Sequence, residues 1–138
     1  MSTTQVIVKS NRFPEIIARI PWAMQQASLR TAYRVERTAK QSMSGPKHGR
    51  HYLRAGGRIH IASAPGEAPA IDYANLVNNI FVEPEGKTNA IIFTPVHYAV
   101  YLEYGTSRMA PRPWAAPATL DTRDYWIQEI SRLEDYLR

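Results

Sequence analysis

Between Pro21 and Ser42 the chain places an apolar or small residue at every third or fourth position, at Met24, Ala27, Thr31, Val35 and Ala39, with Arg30, Arg34, Arg37 and Lys40 between them. That spacing follows one face of a 3.6-residue turn, so it predicts an amphipathic helix whose stripe must be covered by whatever else the chain can build. Pro21 suits the first turn, where its missing N–H costs nothing, which leaves Phe13 to Ile20 as a separate, shorter helical turn leading in. The segment SGPKHG at 44–49 ends the helix.

The rest of the chain supplies the cover. With 138 residues, 44 % of them apolar, one modest core is attainable, and a single domain spanning 1–138 is expected. Tyr52 and Leu53 stand on one side of Gly56-Gly57, and Ile59 and Ile61 on the other, alternating with Arg58 and His60; this predicts a short, exposed hairpin. Pro65, Gly66 and Pro69 then make a stiff, extended segment. Residues 44–71 hold few large apolar side chains, and ordering them costs roughly 1–2 kcal/mol each in backbone entropy, so they should form a projecting arm that is largely mobile in the free subunit.

Asp72 has the chemistry of an N-cap for a short helical turn carrying Leu76 and Val77. A strand at Ile80 to Val82, the turn EPEGKTN and a returning strand at Ala90 to Thr94 make an antiparallel pair. After Pro95, HYAVYLEYG sets Tyr98, Tyr101 and Leu102 on one helical face and closes at Gly105, expected at positive φ. A last helix is predicted from near Leu120 to Leu137, with Trp126, Ile130, Leu133 and Leu137 at helical spacing. The expected class is α+β: a small antiparallel sheet packed by a long N-terminal helix and a C-terminal helix, with a projecting basic arm.

Several chemistries lack their residues. There is no cysteine, hence no disulfide, thiolate zinc site or cysteine nucleophile. No apolar run reaches the length of a membrane span, and MSTTQVIVKSNR lacks the apolar core of a secretory leader, so the product is expected in the cytoplasm of the cell that makes it. His48, His51, His60 and His97 do not fall at HxxxH or HExxH spacing, Ser107 lies in no nucleophile elbow, and neither GPKHG nor GGRIH has the spacing of a phosphate loop. No catalysis, metal or cofactor is expected.

Charge is distributed unevenly. Residues 1–63 hold eleven Lys and Arg against two acids, whereas residues 64–138 hold six against ten. Such a chain can bind nucleic acid through its basic half, or dock head to tail on copies of itself. KHGRHYLRAGGRIH interleaves Lys47, Arg50, Arg54 and Arg58 with Tyr52 and two histidines, a mixture able to meet phosphates and stack on bases, though no helix-turn-helix, zinc-finger or RNP signature accompanies it.

Two blocks, ASAPGEAPAIDYANLVNNI at 62–80 and HYAVYLEYGTSRMAPRPWAAPA at 97–118, resemble the head-tail joining, or tail-completion, family of long-tailed bacteriophages. Tyr101, Leu102, Glu103, Tyr104, Gly105 and Thr106, then Arg112, Pro113, Trp114, Pro117 and Ala118, occupy the positions of that family's second block. One departure concerns the first: the family usually has Asp-Thr-Gly where this chain has Asp72, Tyr73 and Ala74, so the turn after Asp72 must do without glycine.

The resemblance implies a structural component of the virion neck, a homo-oligomeric ring, sixfold, joining the head connector or stopper to the tail terminator or tail tube, with non-specific contact to DNA in the channel and no membrane. Interface residues would then be Lys47, Arg50, Tyr52, Leu53, Arg54, Arg58, Ile59 and Ile61 in the arm, and Glu103, Arg108, Met109, Arg112 and Trp114 in the second block, while Asp72, Gly105, Pro113 and Pro117 shape turns and caps. Trp114 could equally cap the intramolecular core. Two other functions fit the same chain: a tail-terminator ring, and a basic nucleic-acid-binding module.

Overall fold

The computed structural model describes residues 9–137. Residues 1–8, which bear on the reading of a leader, and Arg138 lie outside the described residues. The architecture is α+β, as expected: a long N-terminal helix, two separate antiparallel hairpins and a set of shorter helices toward the C-terminus. No described helix is long and apolar enough to cross a membrane.

Helix α1 runs Phe13–Ser44, 32 residues and so about 48 Å. The expected break at Pro21 does not occur; the helix passes through it. Proline at that position forfeits one backbone bond to the carbonyl four residues back, but the upstream turns are held from elsewhere. Asn11 Oδ1 accepts from the Phe13 N–H (3.0 Å), and the Arg19 guanidinium donates to the Leu137 carbonyl at the far end of the chain (3.2 Å). The buried stripe of α1 is Ala23, Ala27, Ala32, Val35, Ala39 and Met43. Alanines let neighbours approach closely, so the centre of the fold is thin.

Strands β1 (His51–Leu53) and β2 (Ile59–Ile61) pair around a tight 3-10 turn, with Leu53 opposite Ile59 and His51 opposite Ile61. After a four-residue helix α2 (Asn75–Asn78) come β3 (Phe81–Glu85) and β4 (Asn89–Phe93), with Phe81 opposite Phe93. The β3–β4 turn is gripped by α1: Gln25 Nε2 donates to the Gly86 carbonyl (3.0 Å) and Ser28 Oγ to that of Thr88 (2.8 Å). Helix α3 is Ala99–Tyr104.

The single terminal helix predicted from Leu120 is instead α4 (Ala115–Asp121), α5 (Arg123–Ser131) and α6 (Leu133–Leu137). It begins five residues early because Pro117 falls within the first turn, where an N–H has no helical partner to lose. It is interrupted at Thr122, whose hydroxyl donates to the carbonyls of Ala118 (2.9 Å) and Thr119 (3.1 Å) and so competes with the helix ladder. The core joins Val35, Ala39 and Met43 of α1 to Leu76, Ile80, Ala99, Trp114 and Ala118, with Val77, Ile92, Val96, Leu102 and Ala115 packed around them. Glu129 on α5, invisible to a hydrophobic pattern, is 1 % exposed, with Arg30 at 4.0 Å and Arg132 at 3.8 Å.

Candidate assembly surface

The segment 101–118 folds as a buckle around α3. Gly105 ends the helix at φ 76, ψ −176, with its N–H on the Tyr101 carbonyl (2.9 Å). A Cβ there would stand 2.7 Å from the Met109 carbonyl and 2.9 Å from the Pro111 ring, so glycine is required twice over. The φ is positive, as expected, but ψ is extended rather than left-handed helical. Thr106 and Met109 exchange backbone bonds (2.8 and 3.3 Å) and push Arg108 out at the tip. The chain then turns back, and the Arg112 N–H donates to the Leu102 carbonyl (2.7 Å).

Three residues expected at an interface make bonds within the subunit. Glu103 accepts from the backbone N–H groups of Trp114 (2.8 Å), Ala115 (2.9 Å) and Ala116 (2.9 Å), and so caps the start of α4 from a different helix. Arg112 Nε donates to the Ser63 carbonyl (3.0 Å), tying the segment before Asp72 to the buckle. Trp114 is 8 % exposed, its indole N–H on the Ala99 carbonyl (3.2 Å); of the two roles weighed for it, this is the one in the core. Pro113 lies half-buried beside it. Of the second block's interface candidates only Arg108 is exposed, and Met109 is half-buried.

Asp72 also departs from expectation. It caps no helix: α2 starts after Ala74, and no side chain caps it. The Asp72 carboxylate is taken by the arm, receiving Arg54 (2.5 Å) and Arg58 (2.7 Å), with His60 Nδ1 at 3.7 Å. Ala74 adopts φ 58, ψ 12, the one non-glycine residue at positive φ among the described residues. Ala74 therefore bears left-handed strain that a glycine would relieve.

The arm is fastened at a second point by Glu67, which accepts from the N–H groups of Ala64 (2.8 Å) and His48 (3.1 Å) and pairs with His48 Nδ1 (2.5 Å). These bonds, the Ala64 N–H foremost and then the His48 ring, lower its carboxyl to about 2. Lys47 donates to the Ser42 carbonyl (2.8 Å), and partial burial lowers its ammonium. The Gly66 N–H reaches the Pro111 carbonyl (3.0 Å). Arg54 and Arg58 also lie over the rings of Tyr52 (5.6 Å) and Tyr73 (5.8 Å). The arm is thus held by charge and hydrogen bonds, not by burial: Leu53 is 77 % and Ile59 65 % exposed.

Other apolar side chains stand free on the described surface. Outward on β3–β4 are Phe81, Ile91 and Phe93, with the two phenyl rings 5.8 Å apart. On α3, Val100, Tyr101 and Tyr104 border an open groove of about 590 Å³ floored by Trp114. Tyr98 and Leu102 line a cleft on the other side, so the single face expected for Tyr98, Tyr101 and Leu102 splits between the two. The first turns of α1 add Phe13, Ile17 and Ile20. Ala90 to Phe93 are all apolar and so gave no sign of which β4 side chains lie outward, whereas the spacing of Phe13, Ile17 and Ile20 carried the signal for the last. Among the described residues no group of three His, Asp or Glu is placed to hold a metal. No family model matches the chain, and no curated protein or solved structure matches it.

Proposed function

We propose that this chain is a structural subunit of a phage neck, assembling as a homo-oligomeric ring, sixfold, between the head connector and the tail. The observation that carries the reading is the surface: large apolar side chains lie exposed on the arm, on the β3–β4 hairpin, on α3 and on the first turns of α1. Soluble monomers rarely leave so much apolar surface uncovered in several places, whereas a ring subunit must present at least two unlike patches to its neighbours. The unequal charge of the two halves suits such a head-to-tail contact.

The nucleic-acid alternative loses ground on the same geometry. Arg54 and Arg58 share the Asp72 carboxylate, which offsets one of their two charges, and Lys47 is bonded to a helix carbonyl, so most of the arm's cations are already engaged within the subunit. DNA contact is then incidental to a ring that surrounds it.

Cryo-electron microscopy of the particle that encodes this chain tests the reading. A closed ring of this fold between connector and tail tube is the expected result. The same ring on isolated tail tubes that carry no head would shift the assignment to a tail terminator. Absence of the chain from the particle would overturn it.

A further inference from the structure

Residues 70–73 cross the mouth of an apolar cleft without a backbone-to-backbone hydrogen bond among the described residues. What holds them is the arm. The Arg58 guanidinium donates to the Asp72 carboxylate (2.7 Å) and, at 3.3 and 3.4 Å, to the Asp72 carbonyl, and it lies over the Tyr73 ring at 5.8 Å. Arg54 takes the other oxygen of the same carboxylate. Both arginines flank the tight turn between β1 and β2. The residue that follows, Ala74, is the one at φ 58. Beyond it the chain is fixed again, where α2 begins and Asn75 Nδ2 donates to the Tyr98 hydroxyl (3.2 Å).

The cleft, about 400 Å³, is the one that Tyr98 and Leu102 line, and Met43, Leu76 and Val77 wall it from the core side. Tyr73 borders it yet is 78 % exposed, while Val77 and Leu102 are only half-buried. This arrangement carries two costs: left-handed strain at a residue with a Cβ, and an aromatic ring left in water beside apolar side chains that it could cover. A residue in a sparsely populated backbone region stays there only where its surroundings hold it, and here Arg54 and Arg58 do the holding. We infer that residues 70–74 form a strap held open by these two arginines, which turns about Ala74 when the arm is drawn away and closes Tyr73 over Val77 and Leu102. Exposed ion pairs favour the open form, and relief of strain and apolar cover favour the closed one. These are terms of similar size, as a two-state element requires. Any contact that draws Arg58 off the subunit is thereby passed to the surface between α2 and α3. The device operates within a single subunit and does not depend on the proposed ring.

Methyl NMR of the full-length chain, labelled at leucine and valine, tests the coupling. Arg58→Gln removes both the ion pair and the ring contact at an exposed side chain, and circular dichroism checks that the fold is kept. The expected result is an upfield movement of the Val77 and Leu102 methyl signals, from the ring current of a tyrosine closing on them, together with faster amide exchange at 50–62. Rising salt should move the same signals of the unmodified chain along the same line, as a shift between two populations does. Adding Tyr73→Leu to Arg58→Gln should abolish the movement. Adding Ala74→Gly should shrink it, since glycine relieves strain only in the open form. Methyl signals that stay in place while the arm's amides exchange faster would overturn the coupling, as would a movement that survives Tyr73→Leu. A movement that glycine leaves unchanged would overturn Ala74 as the hinge.

Discussion

At the scale of single residues, the conformation of the backbone decides what is replaceable. Gly105 sits at φ 76, ψ −176, a region closed to other residues, and a side chain there meets the Met109 carbonyl. Gly105→Val should cost more than about 2 kcal/mol, read as a lowered thermal midpoint. Ala74 presents the opposite case, because its φ of 58 is tolerated rather than required. Ala74→Gly should stabilise by about 0.5–1 kcal/mol, the relief of left-handed strain exceeding the entropy that glycine adds to the unfolded chain. Glu67 gives a pH dependence whose sign is fixed by its lowered pKa. Its stabilising effect is present above 4.5, the ordinary value, and is lost as pH falls toward about 2. Wild type and Glu67→Gln should therefore differ in thermal midpoint at pH 6 and converge by about pH 2.

At the scale of elements, helix α4 and the arm owe their positions to carboxylates distant in sequence. Glu103→Ala leaves three N–H groups at the start of α4 without an acceptor and should cost roughly 2 kcal/mol, with hydrogen exchange rising first at residues 114–118. Asp72→Asn should free the arm while sparing the core, so amides of 50–62 lose protection and those of α1 keep it. Periodicity and turn residues made the elements legible: the stripe of α1, the Gly56-Gly57 hairpin, the β3–β4 pair and the end of α3 at Gly105 all follow from local pattern. What was not legible is which side chain meets which. The roles of Glu103, Asp72 and buried Glu129 depend on groups brought together from far along the chain, and no spacing rule encodes them. Pro21 misled for the same reason, since the turns before it are retained by Arg19 on Leu137. Within the candidate site, the arm's apolar residues and Arg108 lie outward as the sequence suggested, whereas Glu103, Arg112 and Trp114, the most distinctive letters of the second block, hold the subunit together.

At the scale of the whole molecule, a thin alanine-lined core and a surface rich in uncovered apolar side chains are what the proposed ring subunit requires. Stability in isolation is expected to be modest, and in the proposed ring much of the apolar surface would gain cover beside another copy. Ionic strength should matter, because a head-to-tail contact would bring the basic half of one copy to the acidic half of the next. Native mass spectrometry of the full chain, over rising protein concentration at low and high salt, tests this most directly. The account predicts monomer giving way, with no abundant intermediate, to one closed species of fixed copy number that salt returns to monomer. A stable dimer indifferent to salt, or a monomer at every concentration, would contradict it.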